Sequence, residues 1–252
     1  MPHAARIWNY LLGGKDNYPA DRTAAEQYAA AYPPIRDLAR QGRSFLQRVV
    51  RYLAAEAGVR QFLDVGAGLP TADNTHEVAQ RAAPDSRVVY VDNDPLVLVH
   101  SRALLTNLTS QGRTHYIPAD LRMPGPILDQ AREHLSFEEP IGVLFMGVLG
   151  FLPGTEEVHD VVGRMMQEVP AGSYLALWDG ADVQPPGSID VYNNSGTQPY
   201  HLRSLQELRG FFAGLELVEP GLVPVSHWRP DTGPPPDVEA YGGLARKPAA
   251  AV

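Results

Sequence analysis

The chain has 252 residues, of which 44% are apolar, with a formal net charge of -8 and no cysteine. That length and apolar share suit one large α/β domain, or a domain with a modest appendage, and the acidic balance argues against sequence-independent binding to nucleic acid, which needs basic patches. Without cysteine there are no disulfides, thiolate zinc sites or cysteine nucleophiles, which fits a reducing cytoplasmic setting.

In chain order, Arg6 to Leu12 predicts one or two helical turns, followed by the glycine-hinged loop Gly13 to Tyr18. The same glycines, with Lys15 and Asp16, break any apolar core of signal-peptide length, and no segment reaches the ~20 apolar residues needed to span a bilayer. No membrane association is expected. Asp21 can cap a helix that Pro33-Pro34 stops. A longer helix follows, because Ile35, Leu38, Phe45, Leu46, Val49, Val50 and Leu53 make one apolar stripe at helical period. Gly58 ends it.

Alternation then begins. Strands are predicted at about 61–65, 87–92, 114–118, 141–146 and 174–178. Between them lies a helix at about 75–83, with Asn74 and Glu77 spaced as a capping box, and another from Pro95, capped by Asp94. Further helices are expected at about 126–134 and 155–168. Residues 183–201 read as loop, Ser204 and Glu207 as a capping box, 215–218 as a strand, and 240–246 as a last strand. The stretch 221–228 alternates but contains Pro224, and the end of the chain, 248–252, is expected to fray. Alternating strands and helices imply a doubly wound α/β fold with a mostly parallel sheet. The expected organisation is an N-terminal helical extension over 1–58 and a Rossmann-like domain over 59–252.

The first strand runs into Asp64-Val65-Gly66-Ala67-Gly68, and the second ends in Asp92. Strand, glycine turn, helix, strand and acid are the parts of a nucleoside site. The third glycine of a dinucleotide site is absent, since Leu69-Pro70-Thr71 follows, and Pro70 removes a backbone donor that a pyrophosphate would use. S-adenosylmethionine needs no phosphate cradle. Its ammonium suits Asp64, its carboxylate suits backbone N–H groups around Gly66 and Gly68 or a cation elsewhere, and its ribose suits Asp92. Asn93 can edge the adenine, Asp120 and the Leu121 N–H can read it, and Met146 can floor the pocket. Trp8, Asn9, Tyr10, Lys15, Asn17 and Tyr18 combine aromatic area with polar reach, so the N-terminal segment is expected to fold over the cofactor, with Asn9 and Tyr18 among its contacts.

Three runs resemble a bacterial family of S-adenosylmethionine-dependent methyltransferases first catalogued as a domain of unknown function. They are Ala5-Arg6-Ile7-Trp8-Asn9-Tyr10-Leu11-Leu12-Gly13-Gly14-Lys15-Asp16-Asn17-Tyr18, Phe62 to Thr71, and Val89-Tyr90-Val91-Asp92-Asn93-Asp94-Pro95. Gly214 to Gly221 and Trp228-Arg229-Pro230 are similar to it as well. The resemblance implies a seven-stranded sheet of the class I methyltransferase type, its last strand antiparallel, and cofactor roles for Gly66, Gly68, Asp92 and Asp120. It implies no substrate. Where the family pattern has a histidine near the end of strand four, this chain has Gly150.

Methyl transfer needs alignment, and it needs a base only when the nucleophile must lose a proton. Candidate bases are His76, Glu77, Asp179 and His201, although His76 and Glu77 also suit a helix start and Asp179 a turn; no catalytic residue is assigned. Phe145-Met146-Gly147-Val148 lacks the Asn/Asp-Pro-Pro-aromatic run of amino-directed nucleic-acid enzymes, and strand four offers no acid for a catechol-type metal site. The reading is a methyltransferase acting on a small molecule, with no metal and no nucleic-acid partner. The alternative is a noncatalytic protein that binds S-adenosylmethionine or S-adenosylhomocysteine in a regulatory role.

Overall fold

In the computed structural model, which describes residues 1–97, 99, 106–233 and 235–249, the apolar runs become the strands of one sheet. They are β1 (Gln61–Val65), β2 (Arg87–Asp92), β3 (Arg113–Pro118), β4 (Ile141–Met146), β5 (Tyr174–Gly180), β6 (Glu216–Leu217), β7 (Val223–Pro224) and β8 (Ala240–Arg246). Their order is β3-β2-β1-β4-β5-β8-β6, with β7 also paired to β8. Strands β1 to β5 are parallel, and β8 lies antiparallel between β5 and β6. The expected seven-strand path is present. The two-residue β7 is an addition, formed where Pro224 prevents the stretch 221–228 from extending into a longer strand.

The strand order reverses between β1 and β4, which opens a crevice beyond their C-terminal ends. Register places Val65 beside Val91 and Phe145, so the tips of β1, β2 and β4 end level with one another.

Side-chain alternation divides the strands between two cores. On one face Phe62, Val88, Tyr90, Leu144, Ala176 and Leu244 pack under α1 (Ala4–Leu11), α2 (Pro19–Ala31), α3 (Ile35–Ala55) and α4 (Thr75–Ala82). On the other, Leu63, Val65, Val89, Val91, Val143, Phe145 and Leu177 pack under α5 (Pro124–Ala131), α6 (Thr155–Glu168) and α8 (Leu205–Gly210). The N-terminal helices therefore share a core with the sheet. The stripe of α3 supplies Phe45, Leu46, Val49, Val50 and Leu53 to it.

Several boundaries differ from the sequence reading, and β5 in particular runs on through Asp179, expected in a turn, to Gly180. Helix α2 starts at Pro19, in the first-turn position where its missing N–H costs nothing. Asp21 sits inside it and accepts the Tyr18 and His3 N–H groups. Residues 183–201 are not all loop, since α7 (Ser188–Asn193) forms there. Six residues are too few for a helical period to show in the sequence. Helix formation from Pro95 begins as expected, with Asp94 Oδ1 accepting the Leu96 N–H at 2.9 Å. The continuation of that helix over 98 and 100–105, and the fraying expected at 250–252, lie outside the described residues. Among the described residues no helix is long and apolar enough to cross a membrane.

Candidate functional site

The turn after β1 is shaped by its glycines. Gly66 and Gly68 have φ of +76° and +66°, where side-chain-bearing residues are strained. Val91 O accepts the N–H groups of both Gly66 and Ala67, at 2.8 and 3.1 Å, which ties the turn to the end of β2. A Cβ on Gly66 would meet Val148 at 2.3 Å, whereas Gly68 faces open space. The following Leu69-Pro70-Thr71 segment is closed by Asn74, whose side chain accepts the Thr71 N–H at 3.0 Å and donates to Thr71 O at 2.6 Å.

Asp92 Oδ2 accepts the Gly68 N–H at 2.8 Å, and Oδ1 accepts the Asp94 N–H at 3.0 Å. Burial raises the Asp92 pKa against those two bonds. Two occupied lone-pair positions leave two more on the carboxylate. Asp64 is buried at the end of β1, and its Oδ2 accepts the Thr75 hydroxyl at 2.6 Å. Burial pushes its pKa up to about 6, against the Thr75 bond and the Arg43 charge. At Asp120, burial works upward, but the Arg122 side-chain and backbone bonds outweigh it and hold the pKa below the usual carboxylate value. The Arg122 Nη2 lies 2.9 Å from Asp120 Oδ2, so this carboxylate is already engaged at the rim.

One cavity runs across the tips of β3, β2, β1, β4 and β5. Asp64, Gly66, Gly68, Asp92, Asn93, Asp120, Leu121 and Met146 all line it, as does Asn9. Tyr18 does not: it is 57% exposed, and its N–H binds Asp21 at the start of α2. Asn9 is buried, and its Oδ1 accepts the Asp16 N–H at 3.1 Å and Asn17 Nδ2 at 3.0 Å. It therefore locks the 13–17 loop behind α1. Gly14 is required there, because a Cβ would sit 2.4 Å from Asn9 Nδ2. Arg6 Nε binds Asp21 Oδ2 at 2.8 Å and adds a second tie.

The four candidate bases separate. His76 is buried behind the turn, with its Nδ1 2.9 Å from the Tyr90 hydroxyl, and burial lowers its pKa. Glu77 accepts the Asn74 N–H at 2.6 Å and completes a capping box. His201 is exposed, and its N–H binds Gly150 O at 2.8 Å. None of these three lines the cavity. Asp179 is fully buried immediately behind the cavity wall made by Trp178, Gly180 and Tyr200.

Sequence reasoning missed two groups of lining residues. Arg43 lies on the apolar stripe of α3, four residues after Ala39 and three before Leu46, and it reaches the cavity near Asp64. Its Nη2 donates to Ala72 O and Asn74 Oδ1, at 3.0 and 3.2 Å, while its Nε has no partner. An arginine interrupting an apolar stripe was the available signal. The second group is aromatic. Trp178 stacks obliquely at 5.8 Å on Trp8, which the N-terminal run had already singled out, and Tyr28, Tyr192, Phe151 and Tyr200 extend the wall toward α7. A Cβ on Gly42 would lie 2.6 Å from the Trp178 ring, and one on Gly147 would lie 2.5 Å from it.

Residues 1–248 match the family described as S-adenosyl methyltransferase. A crystal structure of a DUF574-family protein from Streptomyces avermitilis is 42% identical, with a TM-score of 0.92 and 98% of each chain covered. A candidate methyltransferase from Thermobifida fusca is 39% identical, with a TM-score of 0.90, 98% of this chain and 96% of that chain covered. An O-methyltransferase family 2 protein from Planctomyces limnophilus shares the class I fold at 18% identity and a TM-score of 0.52, over 96% of this chain and 65% of that one. No curated protein matches.

Proposed function

The chain belongs to the S-adenosyl methyltransferase family, and from that premise we propose that it methylates a small, neutral acceptor held in the aromatic half of the cavity. S-adenosylmethionine is the cofactor, and when bound it supplies a methyl group on a sulfonium, whose collapse to a thioether drives transfer.

The residues present suit that group. Asp92 has two free acceptor positions for ribose hydroxyls, beside a glycine whose backbone faces open space. Asp64 offers a buried carboxylate for the ammonium, directly or through water. Arg43, with Nε unpartnered, is placed to hold the carboxylate, a charge-assisted bond that a guanidinium makes well. Asn93, Leu121 and Met146 surround the base, with Asp120 shared between it and Arg122. Gly66 contributes backbone, and Asn9 supports the wall through the loop it locks. In this reading the 1–58 extension, and α1 in particular, closes over the cofactor: Ala4, Ala5, Ile7, Trp8 and Leu11 all line the cavity.

The single observation carrying the proposal is the joint exposure of Gly68, Asp92 and Asp120 in one cavity beyond three neighbouring strand ends. Its test is calorimetric titration with S-adenosylhomocysteine. Wild-type protein binds, and Asp92→Asn weakens binding about 10- to 100-fold, the loss of charged hydrogen bonds to ribose. No binding by the wild type, or equal binding by the variant, refutes the proposal.

A further inference from the structure

Tyr200 is held in place from several sides. Its N–H donates to Asn193 Oδ1 at 2.8 Å, and its carbonyl accepts Asn193 Nδ2 at 3.1 Å. Its ring packs edge-on against Phe151, with centroids 5.1 Å apart. The ring occupies the space where a side chain at position 150 would stand, since a Cβ on Gly150 would lie 2.2 Å from it. The hydroxyl donates to Asp179 Oδ1 and accepts the Gly180 N–H at 3.2 Å. One lone pair on the phenolic oxygen remains, and Tyr200 lines the cavity.

Asp179, behind it, is sealed from solvent. Its Oδ1 also accepts the Gly150 N–H at 3.2 Å, and its Oδ2 has no partner. The other charged or titratable groups facing this pair are the Tyr28 phenol and Arg203, whose Nη1 and Nη2 donate to Leu149 O, His201 O and Leu152 O while its buried Nε has no partner. The charged residues lining the cavity (His3, Arg43, Asp64, Asp92, Asp120 and Arg122) all lie toward the α1, α3 and β1–β3 side. Phe151 packs on Tyr200 itself, and the rest of this half of the cavity is lined by Trp178, Tyr28, Ile189 and Tyr192, with the uncharged amides of Gln184 and Gln198 as its polar side chains.

We propose that Tyr200 and Asp179 form the proton outlet for the acceptor, and that this acceptor is a planar, apolar compound presenting a hydroxyl group to Tyr200. The proposal rests on the methyl-transfer reading above and adds to it a substrate class and a proton path. Aromatic walls favour a flat apolar body, and the lack of a lining cation at this end, among the described residues, disfavours a carboxylate or phosphate acceptor. A hydroxyl must shed its proton as it is alkylated, whereas a neutral amine attacks first and loses its proton afterwards. The acceptor oxygen bonds to the methyl carbon through a lone pair as the carbon–sulfur bond breaks and that pair stays on sulfur. The hydroxyl proton passes to Tyr200 Oη, and the phenolic proton passes to Asp179 Oδ1. Product release then returns the proton to solvent. Burial, opposed by the Tyr200 bond and the Arg203 charge, puts the Asp179 pKa at about 6, so it is an ionised acceptor at neutral pH. Tyr200 is the catalytic residue of the pair; Asp179 acts through it and is a positioning residue.

The test has a binding arm and a kinetic arm. With S-adenosylhomocysteine bound, wild-type protein prefers 2-naphthol to naphthalene by about 10-fold or more, and Tyr200→Phe binds both alike, because only the hydroxyl contact is lost. With labelled S-adenosylmethionine, transfer goes to 2-naphthol, whose hydroxyl stays protonated across the pH range tested, rather than to 2-naphthylamine. Tyr200→Phe and Asp179→Asn each lower kcat by about 100-fold or more, the scale of general-base catalysis, with S-adenosylhomocysteine affinity within about two-fold of wild type. Wild-type kcat rises as pH passes upward through about 6, and in Asp179→Asn that rise is gone. If Asp179→Asn does not fold, Tyr200→Phe and the wild-type pH profile decide. Equal preference for 2-naphthol and naphthalene in wild type, methylation of the amine alone or of neither compound, or an unimpaired Tyr200→Phe overturns the proposal. Failure of wild-type protein to bind S-adenosylhomocysteine overturns the cofactor reading instead.

Discussion

Gly42 sits in the middle of α3 with ordinary helical backbone, where alanine would gain about 1 kcal/mol from helix propensity alone. Its environment reverses that sign. The Trp178 indole edge lies 2.6 Å from where the Cβ would be, and a Cβ on Gly147, with φ of +73°, would meet the same ring at 2.5 Å. The indole also stacks obliquely on Trp8, which limits its room to shift. Gly42→Ala is therefore expected to destabilise the protein by about 1–3 kcal/mol, the cost of overpacking, and to change Trp emission. Urea unfolding followed by fluorescence checks it, and a stabilised variant would show that the ring has room to move. At the same scale, burial raises the pKa of Asp64, Asp92 and Asp179, so desolvation of these carboxylates works against folding.

Helix α3 does more than cover the sheet. Arg48 is buried, and its Nε and Nη2 donate to Trp228 O and Val225 O, at 2.7 and 2.6 Å. Those carbonyls belong to the connection between β7 and β8, where a 3₁₀ segment spans Val225–His227. Trp228 is fully buried and packs edge-on against Phe45 and Tyr52 of α3, and the Arg229 guanidinium lies 4.2 Å over the Tyr52 ring. The Trp228-Arg229-Pro230 run thus fastens this connection to the helix and takes no part in the cavity. Arg48→Met keeps the volume but leaves two buried carbonyls unpaired, at about 1–3 kcal/mol for each. The expected result is a lower urea midpoint with S-adenosylhomocysteine affinity unchanged. A variant as stable as wild type would show that water replaces the guanidinium.

For the whole molecule, the shared core makes the N-terminal helices part of the fold rather than an ornament on it. Ile7, Leu11, Tyr28, Phe45 and Leu53 pack in one cluster with Phe62, Leu144 and Leu244. Removing residues 1–58 would strip one face of the sheet, and exposed parallel sheet is not stable. A fragment of residues 59–252 is expected to aggregate. The full chain is expected to unfold in one transition, reported alike by far-UV circular dichroism and by Trp8, Trp178 and Trp228, which sit in α1, in β5 and beside α3. A folded fragment that binds S-adenosylhomocysteine would refute this. The cavity lining at the strand ends was legible because those residues are each flagged by a local run: Asp64 to Gly68, Asp92-Asn93 and Asp120-Leu121. The alternation of strand and helix was legible for the same reason, since period and caps are properties of neighbours in sequence. Trp178, Tyr200 and the exclusion of Tyr18 were not, because no local period records which distant segments meet. Residues 8, 43, 178 and 200 line one cavity only in the folded chain, and the space that the Trp178 and Tyr200 rings occupy is set by glycines at 42, 147 and 150 that belong to other elements. Local pattern was enough for the fold class and the kind of cofactor. The aromatic wall of the cavity emerged only from the folded chain, because packing contacts between remote segments leave no periodic trace along it.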